Sequence, residues 1–135
     1  MSERIQGLKS FTFDVKDQTG DDRVIMFKLP SLPSGYDLVE ASITLHAGTS
    51  ADGSNFVVLT IQDAGTDGTG TSVMASRGGA SVAWAADGVY DFTLASGVPY
   101  PITGGDWVAL DWAETGTWAM VGTLTAHFAP GQQGT

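Results

Sequence analysis

Two runs of strict apolar–polar alternation near the end of the chain restrict its fold more than any other feature. In Trp107–Trp112, Val108, Leu110 and Trp112 fall on one face, and Trp107, Ala109 and Asp111 on the other. In Trp118–Phe128, Met120, Gly122, Leu124, Ala126 and Phe128 share a face opposite Val121, Thr123, Thr125 and His127. A period of two suits half-buried strands and is incompatible with a helix. Gly104-Gly105-Asp106 makes a turn before the first run, Ala113–Gly116 is a polar connection, and Pro130-Gly131 ends the second run. The spacing predicts a closing β-hairpin over Gly104–Phe128, with the rest of the chain packed against it. Three of the four Trp lie there, and each aromatic side chain can bury about 150–250 Å².

Upstream, the same pattern recurs in shorter pieces. Ile5–Val15 reads as a strand with a bend near Lys9-Ser10, and Arg23–Leu29 as another with Ile25, Phe27 and Leu29 in register. Asp37–Ala47 places Ala41, Ile43 and Leu45 together. Phe56–Ile61 is continuously apolar, as in a strand covered on both faces. Thr71–Ala75 and Ala80–Ala85 are weaker runs broken at Arg77-Gly78-Gly79, and Gly88–Leu94 aligns Tyr90, Phe92 and Leu94. Ser96–Thr103 carries two prolines and suits a sheet edge or loop. The expected fold is all-β: an antiparallel β-sandwich, jelly-roll-like, of about eight strands. Residues 1–8 are expected to form an N-terminal docking arm, 9–130 the sandwich, and 131–135 a flexible tail.

Composition narrows the function classes. The 135 residues suit one domain large enough to fold without disulfides, and there is no Cys to form them or to act as a thiolate. The formal charge of −9 argues against nucleic acid and against anionic membranes as partners. No apolar run reaches the roughly 18 residues of a spanning helix. The opening MSERIQGLKS lacks the apolar core of a signal peptide, so synthesis in a cytoplasm and a soluble product are the expectation.

Four constellations invite a chemical reading. Asp63 and Asp67, on a Gly- and Thr-rich loop, offer oxygen ligands of the kind Ca²⁺ takes; the spacing is not that of an EF-hand, and a solvated turn is the plainer reading. Asp17, Asp21 and Asp22 form a similar cluster. His46 and His127 sit on polar strand faces, and two His without a third ligand make a poor zinc site. Asp111 and Glu114 beside Trp107, Trp112 and Trp118 suggest a carboxylate pair for glycoside hydrolysis, although a catalytic cleft needs larger loops. Tyr100, Trp107 and Trp118 are candidates for sugar stacking or, in preference, for a subunit interface. No catalytic residue, cofactor or metal is expected.

The closing segment resembles a known style of protein. Gly105-Asp106-Trp107-Val108-Ala109-Leu110, then Glu114-Thr115-Gly116-Thr117, then Gly122-Thr123-Leu124-Thr125-Ala126-His127-Phe128-Ala129-Pro130 is similar to the small jelly-roll structural proteins of tailed bacteriophages, including head decoration (capsid-cementing) proteins. The resemblance covers mainly the final third and implies no catalytic residues. It implies a virion protein on the capsid surface, with the major capsid protein as partner and self-association as a homotrimer. Ile5 and Leu8 in the arm, with Tyr100, Trp107 and Trp118, are the expected contact residues. A carbohydrate-binding module and a tail or fibre component are the alternatives.

Overall fold

The computed structural model describes residues 9–15, 22–47, 49–50, 54–79, 83–84, 88–95, 97, 99–116 and 120–131. The long strands are β1 (Lys9–Val15), β2 (Asp22–Lys28), β3 (Tyr36–Ala47), β5 (Phe56–Gly65), β6 (Ser72–Gly78), β11 (Trp107–Thr115) and β12 (Val121–Pro130). Shorter ones are β4 (Thr49–Ser50), β7 (Ala83–Trp84), β8 (Val89–Asp91), β9 (Thr93–Leu94) and β10 (Tyr100–Ile102). Ten of them form two five-stranded antiparallel sheets. The first runs β1-β12-β3-β10, with β8 also on β3; the second runs β2-β11-β5-β6-β9. β4 and β7 pair separately.

The pairing is nested. β1 joins β12, β2 joins β11, β3 joins β8 and β10, and β5 joins β6. One long antiparallel ribbon, first strand against last, is thus rolled into two sheets, which is the jelly-roll arrangement. The expected sandwich is present, but the expected closing hairpin is not. β11 and β12 keep the alternation read from the sequence, yet β11 lies between β2 and β5 and β12 between β1 and β3. The chain crosses from one sheet to the other after Gly116, whose φ of +71° and close approach to the Ser54 carbonyl suit glycine alone. Val108, Leu110 and Trp112 therefore join Leu124, Ala126 and Phe128 in one core supplied from both sheets.

Other departures have local causes. A bulge between Val108 and Ala109 sets Val108 against Phe27 and Ala109 against Ile25, so Met26 is the extra residue. Val24 and Phe27 then pack on the core while Ile25 turns outward, 38% exposed; the expected Ile25/Phe27/Leu29 register is broken there. β6 runs unbroken through Arg77. The Gly88–Leu94 run is split, because Phe92 is buried between β8 in the first sheet and β9 in the second. β11 extends to Thr115, through the expected polar connection. Tyr100–Ile102 does form an edge strand, on β3.

Candidate functional site

β1 and β2 are the edge strands of their sheets on the same side of the sandwich. Near the start of β1 the two edges are closed by aromatic packing. Phe11 and Phe27 stack with ring centroids 4.4 Å apart, and both meet Phe128 edge-on at 5.8 and 6.0 Å. Farther along, the smaller Val24 stands on β2 where β1 supplies Phe13 and Val15, and the sheets part. The result, among the described residues, is a cleft of about 530 Å³ lined by Thr12, Phe13, Asp14, Val15, Asp22, Arg23, Val24, Leu110 and Trp112. Phe13, Val15, Val24, Leu110 and Trp112 supply its apolar lining and Asp22 an acid at its rim, whereas the Asp14 carboxylate accepts from the Thr123 hydroxyl at 3.5 Å on the outer face of the first sheet. The Arg23 guanidinium is turned the other way, onto the outer face of the second sheet.

That outward Arg23 organises the Asp63–Gly70 loop. Its Nε donates to the Gln62 side-chain oxygen at 2.7 Å, and its terminal nitrogens donate to the carbonyls of Gly68, at 3.0 Å, and Gly70. The Asp67 carboxylate accepts from the Thr69 amide and hydroxyl, which holds its pKa below the ordinary value. The Asp63 carboxylate accepts from the Gly65 amide at 3.0 Å and hydrogen-bonds to Asp106. Asp106 is 6% exposed. Burial, then its hydrogen bond with Asp63 and the Asp63 charge, pushes its carboxyl up to about 6. Asp63 and Asp67 therefore serve separate turns, and Arg23 binds the Gly68 and Gly70 carbonyls. Among the described residues no three His, Asp or Glu side chains converge as a metal site.

The other sequence candidates are dispersed. His127 faces Glu40, with its Nε2 3.7 Å from Oε1, and its Nδ1 pairs with the Ser10 hydroxyl at 2.7 Å. His46 instead meets the Thr123 hydroxyl at 2.9 Å. Six residues along β3 separate His46 from Glu40, roughly 20 Å of strand, so the two His do not share a site. Asp111 and Glu114 do not form a pair across one cleft: Glu114 accepts from the Trp112 indole at 3.0 Å, while Asp111 lies on the alternate face of β11 opposite Arg23 and Thr60. Trp107 is half-buried, with the Lys28 ammonium 5.6 Å above its ring. Tyr100 is half-buried against the core from the other sheet. Trp107 thus stands on the second sheet and Tyr100 on the first. Ile5, Leu8 and Trp118 lie outside the described residues, as do Asp17 and Asp21.

The β1–β2 cleft and the Asp63–Asp106 pair went unread in the sequence. An Asp between a Gly-Gly turn and a buried strand was the only signal for the second.

No family model matches the sequence, and no curated protein matches it. Among solved structures, a chain in the structure of infectious bursal disease virus, Gx strain, is similar with a TM-score of 0.44 and 15% identity. That alignment covers 94% of this chain and 33% of the other, so this chain spans one third of its neighbour's length. The fold assignment stands on the strand pairing itself.

Proposed function

We propose that this chain is a non-enzymatic virion structural protein: a decoration protein that binds the outer surface of a phage head and stabilises it through subunit contacts. The observation that carries this reading is the side of the sandwich where, among the described residues, two strand edges flank a largely apolar cleft. Free strand edges and apolar clefts recruit other chains by strand addition and side-chain insertion. The fold class hosts viral capsid domains among other functions, and the closing segment resembles phage head proteins. The acidic body keeps free copies apart in solution until a specific contact is made. The protein acts as a ring of identical subunits, the homotrimer being the expected ring, and its partner on the particle is the major capsid protein.

The test is location. Particles produced from the genome that encodes this chain are purified on a gradient, then probed by mass spectrometry and by immunogold labelling of the native protein. Stoichiometric recovery with label on the outside of heads is expected. Label confined to tails moves the protein to the tail or fibre. Its absence from particles, with saturable quenching of Trp fluorescence by a glycan, overturns the virion reading in favour of a carbohydrate-binding module.

A further inference from the structure

We infer that Ser10 is an activated nucleophile that takes an acyl group from activated esters, with His127 as its base and Glu40 as the group that orients the imidazole. The register of the first sheet sets the three in one row. Ser10 on β1 lies opposite His127 on β12, and His127 lies opposite Glu40 on β3. Ala126 and Phe128, on either side of His127, point into the core, so the row crosses three strands on the outer face. Directly opposed residues stand about 4.5–5.5 Å apart at Cβ, and the contacts match that spacing. Ser10 Oγ is 2.7 Å from His127 Nδ1, and His127 Nε2 is 3.7 Å from Glu40 Oε1.

The carboxylate decides which way the hydrogen bond runs. An ionised Glu only accepts, so Glu40 favours the tautomer with its proton on Nε2. Nδ1 then carries the lone pair, and the Ser10 hydroxyl donates to it. In that arrangement an imidazole takes the proton of an attacking hydroxyl while a carboxylate steadies the imidazolium. The second His on this face is wired the other way. His46 Nε2 meets the Thr123 hydroxyl at 2.9 Å, and that hydroxyl donates to Asp14 Oδ1 at 3.5 Å. The Thr123 oxygen therefore accepts from His46 and is not activated.

Ser10 is exposed and stands on the outermost strand of its sheet. His127 is on one side of it and, among the described residues, no strand is on the other. With an aryl ester, Ser10 Oγ forms a bond to the acyl carbon and its proton passes to His127 Nδ1. The bond from the acyl carbon to the aryl oxygen breaks, the aryloxide leaves with the electron pair, and His127 releases the proton to water. The product is an ester of Ser10. The Glu40 side chain is 72% exposed and that of His127 26%, so the row lies in water and no closed site holds a substrate. One acylation per chain is expected, not turnover, which leaves the proposed structural role untouched.

The probe is p-nitrophenyl acetate with the full chain, read by intact mass and peptide mapping. A hydroxylamine-labile acetyl group on Ser10 is expected; that lability separates an ester from an amide on the neighbouring Lys9. Labelling of Ser10 is expected to be about 10²-fold slower in His127→Gln and several-fold slower in Glu40→Gln. Thr123 is expected to stay unlabelled. In the natural chain the rate is expected to level off between pH 5 and pH 9, once the imidazole is neutral. In His127→Gln it is expected to climb with hydroxide throughout. Asp37 and Asp91 are the other acids near the row on this face, and Asp37→Asn and Asp91→Asn are expected to keep the levelling. Ser10 labelled no faster in the natural chain than in His127→Gln overturns the inference, as does acetyl spread evenly over Ser10, Thr12 and Thr123. If a variant melts early, the natural chain's own profile decides: a rate that climbs without levelling sinks the role of His127.

Discussion

The carboxyl of Asp106, at the turn into β11, hydrogen-bonds to the carboxylate of Asp63 at the end of β5. Two acids in contact in a buried position favour holding a proton between them. The Asp106 pKa is raised to about 6, against 3.8 ordinarily. Between those values the folded state keeps a proton that the unfolded chain releases. The contribution to stability is therefore full below about pH 4 and is lost as pH rises through 6. Asp106→Asn keeps a donor for Asp63 and cannot ionise. Urea unfolding from pH 5 to pH 8 is expected to show stability falling for the natural chain relative to Asp106→Asn. Parallel profiles would mean that the pair does not hold the proton.

Arg23 holds the Gly65–Gly70 loop on the second sheet through three acceptors. A forked guanidinium satisfies three such groups at once, and an ammonium does not. Arg23→Ala is expected to cost about 1–3 kcal/mol and to speed amide exchange at Gly70, whose N–H donates to the Ala64 carbonyl at 2.7 Å. Arg23→Lys is expected to recover less than half of the loss. Millimolar Ca²⁺ is expected to leave the melting temperature of the natural chain unchanged. A rise of several degrees would restore the calcium reading of Asp63 and Asp67.

Phe11 and Phe27 clasp the two sheets along their shared open side. Removing one ring leaves the other without its stacking partner and exposes part of the edge of Phe128. Phe27→Ala is expected to cost about 3 kcal/mol, and Phe27→Leu, which keeps most of the apolar contact, about 1–1.5 kcal/mol. Denaturant midpoints check both. Equal losses for the two variants would show that the stack itself, rather than the buried volume, closes this side.

The strand pattern was legible wherever one face of a strand meets the core and the other meets water. Ala41, Ile43 and Leu45 on β3, and Leu124, Ala126 and Phe128 on β12, alternate as they must. Which strand pairs with which was not legible. Sequence neighbours β11 and β12 look like a hairpin because alternation records burial and says nothing of sheet membership. The Gly116 crossover looks like any turn until the Ser54 carbonyl is placed beside it. The β2 register failed for a related reason: the bulge at Met26 changes the phase midway, and nothing in the residue types Val24, Ile25 and Met26 announces it. The site was less legible still. A cleft between two edge strands depends on their being on the same side of the sandwich, and Arg23's role depends on carbonyls 45 and 47 residues away.

Across the sandwich from β1 and β2, the Arg77 guanidinium lies 4.5 Å from the Tyr90 ring centre and 5.2 Å from that of Trp84. The two rings meet edge-on at 5.5 Å. Trp84 is 2% exposed, and its indole N–H has no acceptor among the described residues. Burial without a partner costs about 1–3 kcal/mol, so Trp84 stabilises the fold through its area and its ring, and its nitrogen works against it. Trp84→Phe removes that nitrogen and keeps an aromatic face for Arg77. Its expected cost is about 1 kcal/mol or less, against about 3–5 for Trp84→Ala. Arg77→Gln, which removes the cation beside both rings, is expected to cost about 1–2 kcal/mol. Once Phe replaces Trp84 the cost of Arg77→Gln should shrink, because Trp is the stronger cation–π partner. A double-mutant cycle reads that coupling directly. Additive losses would show that the guanidinium is held by its hydrogen bond to the Asp91 carbonyl, at 3.3 Å, and not by the indole.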